Sequence, residues 1–219
     1  MQLLVNKSST IDRWHPGAED MNDINRLALR PMSADELFIF RCVACNDQVD
    51  RDWEQFPVET LEKLAPMFVG KTVIFDHMWS AKGQTARIYR AEVVRQDDGR
   101  HDLLVACYMM RNDSTEDIIA SIEGGILKET SVGCAVARAE CSICGEEYGS
   151  CGHRKGQTYD GQLCVVRLLD PVDAYEMSFV AVPSQPGAGV TKSHEKTCWT
   201  TAEFFAAKAQ LEIEHERWK

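Results

Sequence analysis

Seven short runs of the chain are rich in β-branched, aromatic and other apolar residues, a pattern that favours strands over helices. These runs lie at about 36–44, 72–75, 85–95, 101–110, 126–136, 163–169 and 175–182. Asp97-Asp98-Gly99, between the third and fourth runs, is a strong hairpin signal. Asp170-Pro171 predicts a turn between the last two runs. The chain is therefore expected to be rich in strands joined by short connections.

Helical spacing of apolar residues is confined to three segments, at about 57–69, 114–123 and 200–218. Many strands, few helices and hairpin connections together predict an α+β fold. The expected form is a mostly antiparallel, closed or nearly closed β-barrel flanked by helices.

The same pattern predicts how the chain divides. A polar arm, loose or helical, is expected over 1–32, followed by the barrel domain over 33–190. A linker and the final helix are expected over 191–219.

The composition narrows the classes of function. The 219 residues include 34 acidic and 24 basic side chains, which gives a formal net charge of −10. With this charge and no basic stripe, nucleic-acid binding is not expected. No apolar run is long enough for a membrane span, and the first residues lack the apolar run of a signal peptide. Without a secretory signal, the nine cysteines favour metal binding or free thiols over disulfides.

The run that contains Ser131 has the first candidate for chemistry. Side chains alternate along a strand, so Ser131, Gly133 and Ala135 share one face, and Cys134 lies on the other face with the valines. A serine hydroxyl becomes a good nucleophile only when a base accepts its proton. Taken alone, Ser131 is an ordinary strand serine. Cys134 is the rival nucleophile, but its valine neighbours favour a place in the core.

Two other side chains have the chemistry that Ser131 would need. His77 follows the strand at 72–75, and Glu176 opens the apolar run at 175–182. A neutral imidazole can accept the serine proton, and a carboxylate can hold the ring in the correct tautomer. Asp76 is a rival partner for the ring, but adjacent strand residues point to opposite faces. A triad is therefore expected if the three strands are neighbours.

The order of these motifs resembles a known family. A histidine after a strand, then Ser131-x-Gly133, then Glu-x-Ser-x-Val-x-x-Pro from Glu176 to Pro183 is similar to the tailed-phage prohead proteases. These capsid maturation proteases are distantly similar in fold to the herpesvirus assemblins. The resemblance covers roughly 36–190, and its most specific part is the motif over 175–188.

The resemblance implies a serine endopeptidase with Ser131 as nucleophile, His77 as general base and Glu176 as the third member of the triad. Its implied substrates are phage scaffold protein, the major capsid protein and the protease itself, inside the assembling prohead in the host cytoplasm. The oligomeric state stays open, and a homo-oligomer is one option. Self-cleavage near 183–190 is a hypothesis based on the Gly- and Pro-rich character of that segment.

A cysteine-rich insert at about 139–165 predicts a zinc knuckle. Cys141, Cys144, Cys151 and His153 are the expected ligands of one structural Zn²⁺, with Cys164 as the alternative to His153. Four protein ligands leave no open position for water, so the ion is expected to order the insert, with no cofactor in catalysis. A reduced, metal-free loop is the alternative.

Two further expectations concern the remaining thiols and the class of protein. Cys42 and Cys45 lie in a strand and are expected to face opposite ways, in the core. The competing functional hypothesis is a non-enzymatic zinc-knuckle module that binds scaffold or assists capsid assembly.

Overall fold

The computed structural model describes residues 16–191, so the final helix expected over 200–218 lies outside the described residues. The helices are α1 (Ala18–Leu27), α2 (Val58–Phe68) and α3 (Glu116–Glu123), with short 3₁₀ turns at Ala34–Glu36 and Ala81–Gly83. The strands are β1 (Leu37–Asn46), β2 (Glu54–Gln55), β3 (Thr72–Phe75), β4 (Ala86–Arg95), β5 (His101–Met110), β6 (Thr130–Cys141), β7 (Thr158–Tyr159), β8 (Gln162–Leu163), β9 (Val166–Phe179) and β10 (Gly189–Val190). Among these residues, no helix has the length and apolar character needed to span a membrane.

Eight of the strands form one sheet. Its neighbours follow the order β10-β1-β5-β4-β3-β9-β2, and β6 pairs with β9. β7 and β8 form a separate two-stranded hairpin within the cysteine-rich insert. β2 and β3 run parallel to β9, whereas the other pairs are antiparallel. The fold is therefore α+β, as expected, with a mixed sheet.

The expected closed barrel is not supported. β10 is only two residues long and pairs with β1 on one side. On its other side, an isolated bridge between Gly189 and Glu129 takes the place of a ladder. β6 begins at Thr130, later than the strand expected from 126, because Gly125 adopts a positive φ and the chain turns there. The sheet therefore stays open at this junction.

The sheet has a helix on each face. α2 packs on the inner face, where Leu61, Leu64 and Phe68 join one buried cluster with the side chains of β4, β5 and β9. α1 covers part of the outer face through Ile24, which packs against Tyr89 and neighbouring residues of β1 and β5. Each large apolar side chain buried in this way contributes about 1.5 to 3 kcal/mol relative to exposure. The outer face of β3, β6 and β9 lies beyond these contacts and carries polar side chains.

Irregular pairing corrects two local predictions. The turn expected at Asp170-Pro171 does not end a strand, because β9 continues through it as one long strand with a break in register near Pro171. Cys42 and Cys45 do not face opposite ways, since a bulge between Val43 and Cys45 adds a residue. Both thiols lie in the main core, as expected of core cysteines.

Candidate active site and metal centre

β3 ends in a tight turn that presents His77. Asp76 and His77 have φ values of 50° and 54°, and the N–H of Met78 donates to the Phe75 carbonyl at 2.9 Å. Positive φ at both central residues is the conformation of a type I′ turn, which is uncommon outside glycine and asparagine. The N–H of Asp76 donates to the Phe179 carbonyl at 3.0 Å, which fixes the turn against β9.

Glu176 holds the imidazole of His77. Its Oε1 lies 2.7 Å from His77 Nδ1, and the Glu176 side chain is 3% exposed whereas His77 is 41% exposed. Nδ1 is the donor in this contact, so Nε2 is the nitrogen left to accept a proton. Asp76, the rival partner, is exposed and makes no hydrogen bond to the ring among the described residues.

The register of β6 against β9 brings Ser131 to the same face. Ser131 lies directly opposite Ser178, and Gly133 lies directly opposite Glu176. Opposed residues of an antiparallel pair project to one face, so Ser131 shares the outer face with Ser178 and Glu176. Within residues 16–191, no hydrogen bond joins Ser131 Oγ to His77. Such contacts are often loose until substrate binds.

Gly133 is required by the position of Glu176. A Cβ at Gly133 would lie 2.3 Å from Glu176 Oε1 and 3.2 Å from its carboxyl carbon. Both distances are shorter than ordinary van der Waals contact, so any side chain would displace the buried carboxylate. Gly133 and Glu176, which belong to two motifs far apart in the sequence, are therefore packed directly against each other.

Ser178 is a functional candidate that the sequence interpretation missed. It is fully buried, its Oγ donates to Glu176 Oε2 at 2.6 Å, and it accepts a 3.0 Å hydrogen bond from the backbone N–H of His77. One hydroxyl thus holds both the carboxylate and the turn that carries the histidine. The sequence did contain a signal for this role of Ser178, because residues two apart on a strand, such as Glu176 and Ser178, share one face.

Cys134 does not compete with Ser131. It pairs with the buried Ala174 and packs against the main core, on the face opposite the outer one. Burial, and then the nearby Glu176 carboxylate, raise the pKa of the Cys134 thiol to about 11. A thiol held protonated is a poor nucleophile, in agreement with the expected core role.

The cysteine-rich insert joins β6 to β9 and contains the expected ligand cluster. The candidate ligand atoms of Cys141, Cys144, Cys151 and His153 all lie within 4.8 Å of one another. A tetrahedral zinc ion with bonds of about 2.3 Å to sulfur places its ligands about 3.8 Å apart, so this cluster needs only a small contraction. These four residues could therefore hold a metal ion.

Cys164 lies beside the cluster as a fifth candidate. Its Sγ is 3.8 Å from that of Cys141. Burial, followed by contacts with the neighbouring thiols, raises the pKa of Cys164 to about 11. Burial also acts to raise the pKa of Cys141, but hydrogen bonds from the backbone N–H groups of Cys144 and Ile143 and from the Cys144 and Cys164 thiols together outweigh burial and lower that pKa to about 6. His153 Nδ1 is buried and has no hydrogen-bond partner in the described part of the chain.

The insert is anchored on the segment that precedes α2. Lys155 Nζ lies 2.6 Å from a Glu54 carboxylate oxygen, and Gly156 packs so closely on Trp53 that a Cβ would lie 2.8 Å from the indole nitrogen. Ser131 lies ten residues from Cys141 along β6. At about 3.3 Å per residue the two sites are roughly 30 Å apart, so a metal at the insert cannot reach the Ser131 region.

Comparison of the chain with family models, with curated proteins and with solved structures gave no match. Its function therefore has to be inferred from its own residues. A buried carboxylate bound to an imidazole, with a hydroxyl on the adjacent strand, is an arrangement that can activate a nucleophile.

Proposed function

We propose that the chain is a serine endopeptidase in which Ser131 is the nucleophile, His77 the general base and Glu176 the group that orients the base. The observation that carries the proposal is the 2.7 Å contact between His77 Nδ1 and the buried Glu176 carboxylate, on the face to which Ser131 projects. The resemblance to prohead proteases points to phage scaffold and capsid proteins as substrates.

Each residue has a defined part in this mechanism. Nε2 of His77 takes the Ser131 proton as Oγ attacks the carbonyl carbon of the peptide bond, and the imidazolium then gives that proton to the leaving amine. The negative charge of Glu176 stabilises the imidazolium and fixes the tautomer. Water, activated by the same histidine, hydrolyses the acyl-enzyme and frees Ser131. Ser178 keeps the carboxylate and the His77 turn in place.

The test is the intact mass of proteins co-expressed with the chain. Wild type, Ser131→Ala and the control Ser121→Ala are each expressed with the scaffold and capsid proteins of the same phage. We expect new cleavage products with wild type and Ser121→Ala, and none with Ser131→Ala, whose fold is checked by circular dichroism. Unchanged products with Ser131→Ala would refute the proposal.

A covalent probe tests the activation of Ser131 without a substrate. An organophosphofluoridate phosphorylates a serine only when a neighbouring base has made it nucleophilic, and releases fluoride. One adduct is expected on wild type, at Ser131, and none on His77→Ala. Equal labelling of the two proteins would show that His77 does not act as the base.

We propose further that the metal of the insert is zinc and that its role is structural. The support is the chemistry of the cluster, three thiols and an imidazole, which zinc prefers and which leaves no open coordination position. An insert this small, with only the two-residue strands β7 and β8, needs such an ion to be ordered.

The second candidate function is a non-enzymatic assembly module built around this knuckle. It is favoured by the position of the cluster, at the far end of the β6–β9 hairpin from Ser131, and by the exposure of Cys144 at its surface. The mass experiment separates the two candidates. Products that depend on Ser131 establish the protease, and their absence from a folded wild type favours the module.

A further inference from the structure

An open groove of about 500 Å³ lies beside the His77–Glu176 pair. Its walls come from β3, β4, β9 and the connections that precede and follow β3. The lining includes Thr72, Trp79, Gln84, Arg87, Tyr175 and Glu176. A groove that contains the Glu176 carboxylate is positioned to hold the substrate of the protease proposed above, and the inference that follows rests on that proposal.

The register of three strands sets the length of the groove. Thr72 of β3 pairs with Arg87 of β4 on one side and with Glu176 of β9 on the other. The three side chains therefore project to the same outer face. Neighbouring strands are about 4.8 Å apart, so the α-carbons of Arg87 and Glu176 are separated by about 10 Å. An extended peptide spans that distance with three residues.

Arg87 brings an uncompensated positive charge to the groove. Its Nη1 donates to the Gly70 carbonyl at 2.7 Å and its Nη2 to Gln84 Oε1 at 3.0 Å, and both acceptors are neutral. No carboxylate of residues 16–191 lies within ion-pair distance of it. Arg90, on the same strand, is by contrast paired with two aspartates. Arg87 is thus held in place while its charge remains open to a ligand carboxylate.

Two exposed aromatic rings form another wall of the groove. Trp79 is 72% exposed and Tyr175 is 41% exposed, and their ring centroids are 5.4 Å apart. Tyr175 has no partner on β6, because the register shifts between Gly133 and Cys134, and this bulge turns its ring toward Trp79. Exposed aromatic pairs bind apolar side chains well, since their rings lose little conformational entropy on binding.

We propose that this groove is a specificity subsite for an acidic peptide segment, with a Glu or Asp side chain bound by Arg87 and an apolar side chain packed on Trp79. The overall charge of −10 repels acidic peptides, so any preference for them has to come from a local cation. Arg87 supplies that cation, because Lys71, the other cationic side chain of the groove, is already paired with Asp173 at 2.9 Å.

The test measures binding and cleavage with one set of probes. Fluorescein-labelled hexapeptides carry Glu or Gln at one chosen position and random residues elsewhere. Binding is measured with the Ser131→Ala chain, which cannot turn the peptides over, and cleavage is measured with the wild type. Both measurements are repeated after Arg87→Gln or Arg87→Lys has been introduced into the chain used for that measurement. The control is Arg95→Gln, which changes an exposed arginine at the far end of β4.

At one position, Glu is expected to be bound at least about tenfold more tightly than Gln, the size of one charge-assisted hydrogen bond. Arg87→Gln should reduce this ratio to below about twofold, whereas Arg87→Lys and Arg95→Gln should retain most of it. Equal binding of Glu and Gln peptides at every position, or a ratio that survives Arg87→Gln, would overturn the subsite. Selective binding without any cleavage by wild type would keep the subsite and refute the protease.

Discussion

The two ends of the β6–β9 hairpin hold two clusters of chemically active side chains, built in different ways. At one end, Ser131 and Glu176 are placed by the register of regular strands. At the other end, the Cys/His cluster is placed by turns within an insert that contains little regular structure. A site built from a sheet depends on long-range pairing, whereas a knuckle depends on local spacing.

This difference decides how each cluster responds to change. The outer-face site has no room for a side chain at Gly133, because the Glu176 carboxylate fills the volume above this glycine and is bonded to Ser178. The knuckle has open space at Gly152, which lies next to Cys151 and where a Cβ would meet no atom within 4 Å. A small change at Gly133 should therefore disable the first cluster, whereas a small change at Gly152 should be tolerated by the second.

The largest effect is expected from Gly133→Ala. The added methyl group displaces the Glu176 carboxylate, so His77, the proposed general base, loses its partner and the proposed cleavage should fall by about 10³-fold. Overpacking should also lower the free energy of unfolding by about 1 to 3 kcal/mol. Both are measured, by product formation and by thermal unfolding. Gly17→Ala, where a Cβ would make only an ordinary 3.6 Å contact, is the control. Full activity in Gly133→Ala would contradict the packed arrangement.

An intermediate effect is expected from Cys144→Ser. Loss of one thiolate should remove about one equivalent of zinc, measured by mass spectrometry of the metal, and expose the insert to limited proteolysis. Cleavage by the protein that stays folded should change less than about threefold, because the roughly 30 Å separation excludes direct participation of the ion. Ser150→Ala, in the same insert, is the control. Retention of zinc by Cys144→Ser would show that another residue is the ligand.

The smallest effect is expected from Lys155→Ala, which removes the ion pair between the insert and Glu54. Both partners are one-third exposed, so the free energy of unfolding should fall by only about 0.5 kcal/mol, with activity unchanged. Urea unfolding measures the change, and Lys63→Ala, which removes an exposed pair with Asp170, is the reference. A large loss of activity in Lys155→Ala would mean that the two ends of the hairpin are coupled.

Much of the fold was accessible from local sequence signals. α2, the β4–β5 hairpin and β1 all lie close to the expected ranges, because each depends on apolar spacing and a short turn. The failures came where pairing overrides local preference. Asp170-Pro171 has the composition of a turn, yet β6 pairs alongside it and the strand continues. The closure of the sheet depended on how far β10 extends, which no local pattern encodes.

The candidate sites divide in the same way. The knuckle was accessible because Cys-x-x-Cys places two thiols together whatever the rest of the chain does. The sequence could not predict that His77 and Glu176 are close together. Their proximity requires β3 to pair with β9, and no local signal specifies that pairing. Ser178 was missed because the Glu-x-Ser motif that contains it assigns it no role, and Arg87 was missed because it belongs to no motif. Their significance comes from the contacts of Ser178 with Glu176 and from the alignment of Arg87 with Thr72 across the sheet.

The pairing of β6 with β9 continues to Cys141 and Val166, which lie directly opposite each other at the base of the insert. The insert therefore leaves and re-enters the sheet at a single rung of the ladder, like any hairpin loop. An insertion or deletion within this loop therefore leaves the pair that aligns Ser131 with Ser178 unshifted. The hairpin tip is thus a place where the length of the chain can change while the strand register around Ser131 stays fixed.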